Sequence, residues 1–466
     1  MALGSGSRLR DGVSGALRNP VAAWCGFVVA HFWLGLLNLY ADGFPLGDVD
    51  FVYKFWADQV IVGHYLVGID GGWVYPIVAI VPMLAAAAFG PALYASTWLS
   101  LVMLLNAAAF AVILGAGRER PAPERPGPDH AGPERAGPDR SRYGVVIGWW
   151  WIGFLILLGP IAMGRIDSIT IPLAIVGVLF VATRPRAAAI LLAVATWIKV
   201  WPAALLAALL VASRERWRIL AAAAGTSAAI TAVALLLGGG GNLFSFVSQQ
   251  ATRGLQVEAP ISTVWLWQSF AGVPGTFVYY DRALLTWQVA GVGVDVTSTL
   301  MTTLMALCAV VIVLVAMVVL QRGARATEVL PVVALALVSA LIAFNKVGSP
   351  QFMTWLAVPV IMGLATHAAG RGRSFRTPAI MVAALALLTQ AFYPYLYGWL
   401  IGLHPAMLLV LTARNVLVFV LLGWSLVALW RCQLRGDAPE SAEPAWIRDS
   451  HRDTVEESDP NQSYPN

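Results

Sequence analysis

The run TLMTTLMALCAVVIVLVAMVVL, residues 299–320, holds no charged side chain over 22 positions. As a helix it would span about 33 Å, just beyond the ~30 Å hydrocarbon thickness of a bilayer. Arg322 and Arg325 follow at once, as at the cytoplasmic end of a membrane crossing. The same pattern, an apolar run bounded by arginine, recurs on both sides. Crossings are expected from about Val21 to Tyr40, Gly144 to Met163, Ser168 to Thr183, Trp217 to Leu237, Val329 to Phe344, Met353 to Ala369, Ala379 to Phe392 and Ala406 to Trp430. The expected fold is an all-α polytopic membrane bundle of about 10–12 transmembrane helices with loops on its outer face.

Composition agrees. Hydrophobic residues make up 59% of the 466 and charged residues 12%, and mean hydropathy is +0.73, which excludes a water-soluble domain of this size. The formal charge of +5 does not point to nucleic acid, because the arginines sit in short clusters between apolar runs: Arg184 and Arg186, Arg214 to Arg218, Arg322 and Arg325, Arg371 to Arg376, and Arg431 to Arg435. Cys25, Cys308 and Cys432 are far apart and show no disulfide framework or zinc spacing.

These clusters set an orientation and a division of the chain. Residues 1–20, with Arg8, Arg10 and Arg18, form a cytoplasmic N-terminus. The first run then reads as an uncleaved signal anchor that delivers the segment from Ala41 to Trp73 to the outer side. Residues 21–115 hold that helix, an outer acidic loop, a re-entrant stretch from Pro76 to Phe89 and a crossing from Ala92 to Gly115. Residues 116–143 include PERPG-PDHAG-PERAG-PDR, a Pro-, Gly- and charge-rich near-repeat that reads as a disordered cytoplasmic linker. Residues 144–237 are transmembrane helices. Among them Ala187 to Ala212 lies between two inside clusters and so forms a short hairpin turning at Lys199-Val-Trp-Pro202. Residues 238–298, with Trp265, Trp267 and Trp287, form an outer amphipathic loop; 299–430 return to transmembrane helix; and 431–466 are a disordered cytoplasmic tail.

With the topology set by arginine alone, Asp48, Asp50, Arg165, Asp167, Lys199, Arg253, Glu258 and Lys346 all fall at the outer boundary. Of 30 lysines and arginines only three are lysine, Lys54, Lys199 and Lys346, and all three lie there. Asp48-Val-Asp50 follows the first crossing directly, placed to take a proton from an incoming hydroxyl or simply to cap a helix end in water. Gly164-Arg-Ile-Asp167 is a charged turn between apolar helices. Lys199, among tryptophans, needs an anionic partner or a route to the interface. Lys346 stands in a Gly/Pro-containing turn whose free N–H groups suit a phosphate, and Arg414 lies inside an apolar helix, where arginine is rare and functional by default. His31 and His367 read as packing residues, and His64 and His404 have no metal partner at suitable spacing. No P-loop, Rossmann fingerprint, HExxH or nucleophile elbow appears in context.

Several short signatures occur in a fixed order: the acidic loop after the first helix, Val52-Tyr53, Tyr75-Pro76, Gly164-Arg-Ile-Asp167, Lys199-x-x-Pro202, Arg253-Gly-Leu-Gln-Val-Glu258 and Lys346-x-x-Ser-Pro-Gln351. From about Ala22 to Trp430 the chain thereby resembles the actinobacterial polyprenol-phosphate-mannose-dependent mannosyltransferases of the C-type glycosyltransferase superfamily, α-mannosyltransferases of lipoglycan and phosphatidylinositol mannoside type. The resemblance implies a sugar carried on a polyprenyl monophosphate as donor, a glycolipid or lipoglycan of the outer leaflet as acceptor, and an aspartate of the first outer loop as base. The usual spacing puts that acid four residues before the tyrosine, where Val49 stands with Asp48 and Asp50 on either side; Asp48, at the membrane exit, is preferred, with Asp50 as its alternative.

The implied chemistry is a direct, inverting displacement. A lipid monophosphate leaves as an anion, so fixed cations must hold its growing charge. Arg165, Lys199, Arg253, Lys346 and Arg414 are the candidates for that donor phosphate, and Tyr53, Tyr75, Asp167, Glu258 and Gln351 for other substrate contacts. No metal and no cofactor is expected, although Asp48, Asp50, Asp167 and Glu258 together would form a carboxylate site if they converged. The expected location is the plasma membrane, with the active site extracytoplasmic and both termini cytoplasmic; no sequence feature sets an oligomeric state. The rival from another class is a polytopic lipid or solute transporter, against which stand the lack of inverted halves and the gathering of charge at one edge. Arabinose or glucose fits the same features as well as mannose.

Overall fold

The computed structural model describes residues 19–116, 141–251 and 253–436. The expected N-terminal segment, the Pro/Gly linker and the C-terminal tail lie, apart from their edges, outside these residues. The described chain forms 17 α-helices, several short 3-10 turns and one two-stranded sheet.

The first crossing starts where local chemistry dictates. Asn19 accepts a hydrogen bond from the Val21 amide at 2.8 Å and Pro20 occupies the first turn, a pairing that fixes a helix N-terminus. Helix α1 (Pro20–Tyr40) follows, then a π-helical turn (Asp48–Tyr53) running straight into α2 (Lys54–Ile61). The stretch after Tyr75 does not cross: Ile77–Ala86, which contains α3 (Ile80–Ala86), is only about 15 Å long. Gly90, at φ +85°, then turns the chain into α4 (Tyr94–Gly115).

After the linker come α5 (Ser141–Leu158) and α6 (Asp167–Phe180), then the hairpin of α7 (Pro185–Ile198) and α8 (Ala203–Ala212), then α9 (Arg216–Leu236). The segment read as an outer loop is more ordered than that. It holds α10 (Ser245–Ala251), α11 (Thr263–Phe270) and an antiparallel hairpin of β1 (Phe277–Asp281) and β2 (Thr286–Ala290), with Phe277 opposite Ala290 and Asp281 opposite Thr286. Alternating aromatic and β-branched residues form these strands, as their intrinsic preference directs. Helices α12 (Val294–Gln321), α13 (Ala326–Ala343), α14 (Met353–Ala368), α15 (Arg376–Phe392), α16 (Tyr397–Ile401) and α17 (Pro405–Gly436) complete the chain.

Six of these helices are long and apolar enough to cross a bilayer alone, and six further apolar segments have only 10–17 residues. The protein is thus an all-α polytopic membrane protein in which half of these twelve apolar segments are shorter than a full crossing. The bundle centre is α13 packed on α14, with α17, α12 and α8 against α13 and with α6 against α14. Every residue from Pro331 to Ala340, and from Met353 to Gly363, is buried, so these two helices are apolar and covered all round. Helices α9 and α12 are equally apolar but bury only 11% and 17% of their most hydrophobic windows; their Leu, Val and Ala surfaces suit lipid rather than protein.

Candidate active site

The site forms where short elements end: the turn before α6, the tip of the α7/α8 hairpin, the segment before α11 and the turn before α14. At its centre is Arg165. Its Nη1 donates to the carbonyls of Pro45 and Gly164, both at 2.8 Å, its Nη2 to the Tyr393 hydroxyl at 2.6 Å, and its Nε makes an ion pair with Asp48 Oδ2 at 3.0 Å. Burial alone would depress this guanidinium, but Asp48 and the surrounding tyrosines outweigh it and hold it above its ordinary range. Asp48 itself keeps 40% of its side chain exposed. The result is a carboxylate aimed by a buried fork, with open surface toward whatever enters.

Asp50 is placed differently. In a helical turn residues two apart point to nearly opposite sides, and here Val49 and Tyr53 face the core while Asp50 is exposed. Burial raises its carboxyl and nearby Lys54 lowers it; the cations around Asp48 are not its neighbours. Tyr53 lies beneath the site, 1% exposed, its hydroxyl accepting from the Ile166 amide at 3.1 Å. It props the Arg165 turn rather than facing an opening.

Lys199, at the hairpin tip, donates to Asp167 Oδ2 at 2.9 Å, and the Trp355 indole N–H takes the other oxygen at 2.6 Å. Burial pushes the ammonium down, and Asp167 with Tyr75 more than restores it, so its pKa is raised and it stays charged. Asp167 is 1% exposed and both its oxygens are engaged, so it compensates a buried cation and does not reach substrate. Lys199 also lies over the rings of Tyr75 and Phe352, at 5.4 and 5.5 Å. Trp201 stacks on Trp355 at 5.4 Å and 8°, which fixes the indole that holds Asp167. Tyr75 is half-buried beside this group.

The third part is the strip from Arg253 to Glu258. It is held on one side by β2, through Val257 N to Trp287 O at 3.1 Å and Val289 N to Leu255 O at 3.0 Å, and on the other by Gln256 N to Lys346 O at 3.0 Å. Gly348 permits the contact with the 346–348 turn, since a Cβ there would meet the Glu258 backbone. Arg414 staples the two loops together. Its Nη1 donates to Glu258 O and Asn415 Oδ1, both at 2.7 Å, and its Nη2 to Gly348 O at 3.2 Å. At 1% exposed its two Nη groups are spent on neutral acceptors, while its buried Nε has no hydrogen-bond partner. The Glu258 carboxylate accepts from the Tyr397 hydroxyl at 2.6 Å, and burial raises it above its ordinary range. Gln351 is buried in the turn before α14, where its carbonyl accepts from Thr354 at 2.7 Å.

Two further cations, Arg253 and Lys346, lie beside this group. Burial lowers the Arg253 guanidinium despite Tyr75 and Asp48 nearby, and its buried Nε has no hydrogen-bond partner. Lys346, 8% exposed, is lowered by burial and then by Arg253. Asp48 in turn lies in the fields of Arg165, Lys199 and Arg253. One accessible carboxylate is therefore ringed by positive charge that exceeds it, an arrangement that an added anion would relieve.

Eight of the twelve residues singled out from the sequence meet around this basin or directly beneath it: Asp48, Tyr53, Tyr75, Arg165, Asp167, Lys199, Arg253 and Lys346. Glu258 and Arg414 lie behind it, Gln351 is buried in a neighbouring turn, and Asp50 faces away. The four carboxylates Asp48, Asp50, Asp167 and Glu258 do not converge, and among the described residues no group of three His, Cys, Asp or Glu is placed to hold a metal ion. Sequence reading missed Trp355, Tyr393 and Tyr397. The tyrosines stand in Phe392-Tyr-Pro-Tyr-Leu-Tyr397, a polar-tipped aromatic run closing an apolar helix at its site end, and that was the available signal.

Comparison with known proteins adds one finding. The family described as glycosyltransferase family 87 matches residues 73–344, more than half of the chain, a stretch that holds Tyr75, Arg165, Asp167, Lys199, Arg253 and Glu258. No curated protein and no solved structure matches the chain.

Proposed function

The chain belongs to glycosyltransferase family 87, and from that premise we propose that this membrane glycosyltransferase moves mannose, or a related sugar, from a polyprenyl monophosphate to a glycolipid or lipoglycan acceptor of the outer leaflet. The observation that carries this reading is the Arg253–Lys346 pair. Two cations held close enough to repel, one with a buried and unpartnered Nε, suit a phosphate that gains charge as its sugar departs. Lys199 supplies a third positive charge at the floor.

In the proposed step the acceptor hydroxyl attacks the anomeric carbon from the face opposite the phosphate. Its proton passes to the exposed oxygen of Asp48, the carbon–oxygen bond to phosphate breaks, and the electron pair leaves with the polyprenyl phosphate. The anomeric configuration inverts. Arg165 keeps Asp48 aimed, acting on the reaction through that carboxylate rather than on the phosphate. Asp167 and Trp355 keep Lys199 charged and in place.

An extracytoplasmic site in the plasma membrane is part of the same proposal. Helix α7 begins beside Arg184 and Arg186 and ends at Lys199, α13 begins beside Arg325 and ends near Lys346, and α17 carries Arg414 near its start and Arg431 near its end. The site cations thus lie at the helix ends opposite the arginine clusters, which suits cytoplasmic arginines and an outer site.

The test uses membranes or nanodiscs containing the full chain, radiolabelled polyprenyl-phosphate-mannose and a short-chain alkyl mannoside. Transfer by the wild type, lost in Asp48→Asn and kept in Asp50→Asn, is the expected result. Undiminished transfer by Asp48→Asn would overturn the assignment of the base, and no labelled product from the wild type would overturn the donor.

A further inference from the structure

Of the groups that hold Arg165, the Tyr393 hydroxyl is the one to which the chemistry above gives no task. Tyr393 caps α15, and its half-buried ring meets Tyr397 edge to face, with centroids 5.3 Å apart. The turn it opens packs on the loop after α1. Gly43, at φ +87°, allows this contact, since a Cβ there would fall 2.9 Å from the Pro394 carbonyl oxygen. That loop leads into Asp48. Arg165 makes a second link between the two segments: its Nε pairs with Asp48 Oδ2 at 3.0 Å and its Nη2 donates to the Tyr393 hydroxyl at 2.6 Å. Nε and Nη2 lie along one edge of the planar guanidinium, so the carboxylate and the phenol stand side by side on that edge. The phenol oxygen accepts from Arg165, and its own proton must go elsewhere. Among the described residues no acceptor receives it; the hydroxyl's hydrogen bond is the one from Arg165. Burial raises this phenol above its ordinary range and Arg165 lowers it by less, so the proton is retained at neutral pH. A phenol whose oxygen is held by a cation donates more strongly than a free one.

We propose that Tyr393 determines specificity for the acceptor, donating to the hydroxyl next to the one whose proton Asp48 takes. In an inverting displacement the phosphate departs on the side away from the base. A group that reaches the exposed oxygen of Asp48 therefore reaches its neighbour on the guanidinium edge as well. Adjacent hydroxyls of a sugar ring are themselves side by side. One gives its proton to the carboxylate while the oxygen of the other accepts from the phenol. Only a hydroxyl with a correctly placed neighbour satisfies both groups, so the pair selects which position of the acceptor attacks. A site that hydrogen-bonds a substrate hydroxyl discriminates against an analogue lacking it, because the site's own polar group is then left unpaired. This inference rests on the glycosyltransferase reading given above and deepens it by assigning acceptor position to one named side chain.

The experiment has two independent arms on the full chain in nanodiscs, using an alkyl mannoside and its monodeoxy analogues. In the first, transfer from the polyprenyl-phosphate donor is measured. The analogue lacking the attacking hydroxyl should give no product, and one lacking a neighbouring hydroxyl should lose about tenfold in kcat/KM, ~1.4 kcal/mol. Tyr393→Phe, which keeps the ring, should lose about tenfold with the parent mannoside, distinguish it from that analogue less than twofold and keep the donor KM. Comparing variant and analogue in one cycle isolates the contact between them. In the second arm the same mannosides compete, without donor, against a fluorescent alkyl mannoside followed by anisotropy. The same discrimination should appear in the wild type and vanish in Tyr393→Phe. Equal losses by Tyr393→Phe with every acceptor, as from a misaimed Arg165, would assign the residue to support and overturn the inference, as would a wild type indifferent to each neighbouring hydroxyl. The expected binding pattern with no transfer to any mannoside keeps the role of Tyr393 and overturns the donor reading instead.

Discussion

Arg165 and Arg414 are both deeply buried arginines beside the same basin, yet they are built into opposite kinds of structure. Arg414 meets only neutral acceptors, two backbone carbonyls and the Asn415 amide, and joins loops from distant parts of the chain. Arg165 also grips carbonyls, but its Nε holds a carboxylate that remains 40% exposed. The difference lies in what the cation's partner can still do. A carbonyl so bound is finished, whereas a carboxylate so bound is oriented and retains an oxygen for chemistry.

Variants that swap or remove these partners test the contrast, and the largest effect belongs to the group that Arg165 aims. Asp48→Asn should lower kcat about 10³-fold, within the range for loss of a general base, with thermal unfolding little changed; equal losses in Asp50→Asn would dissolve the distinction between the two acids. Next comes Arg414→Met, which orphans buried carbonyls at roughly 1–3 kcal/mol each. Its thermal unfolding midpoint should fall clearly, while the activity of the folded fraction in the cold keeps its donor KM. Arg165→Lys replaces a fork by a point charge and should reduce kcat about 10²-fold through misaimed Asp48, detectable as a kcat loss without a KM change. Arg253→Ala should raise the donor KM about tenfold and leave stability nearly intact, as for a cation whose partner arrives with the substrate.

The smallest effect is a pH dependence behind the Arg414 staple. Burial raises the Glu258 carboxyl above its ordinary 4.5, so the folded state favours its neutral form. That contribution is fully present below pH 4.5 and is lost as pH rises through the raised value. Glu258→Gln, neutral throughout, should therefore gain in thermal stability relative to the wild type as pH increases across that window. A constant difference at all pH values would mean that Glu258 does not titrate there.

Much of this was readable before any coordinates. Hydropathy and arginine placement gave the all-α membrane fold, and the clash between a 26-residue apolar run and two flanking inside clusters marked the hairpin that turns at Lys199 to Pro202. The strands at 277–290 were legible in Phe-Val-Tyr-Tyr and Thr-Trp-Gln-Val, but tryptophans near a membrane read equally as an interfacial loop. Which helices form the centre was not legible. Helices α12 and α13 are both strongly apolar, and hydropathy does not distinguish a side chain against lipid from one against protein. The two arginines failed for a related reason: a buried cation signals that something pairs with it, and only distance tells a carbonyl from a carboxylate.

The hairpin arms have one more consequence. Helix α7 has 14 residues and so rises about 21 Å, against the ~30 Å of hydrocarbon that a full crossing covers. In the proposed orientation, an ammonium at its tip would lie below the outer membrane surface, where mobile ions are scarce and their screening is weak. A phosphate tethered to a long isoprenoid can slide toward that charge within the leaflet, whereas free phosphate must shed water to descend. Selectivity for a lipid carrier over its soluble counterpart would then come from depth alone, as a property of how far two short helices fail to reach.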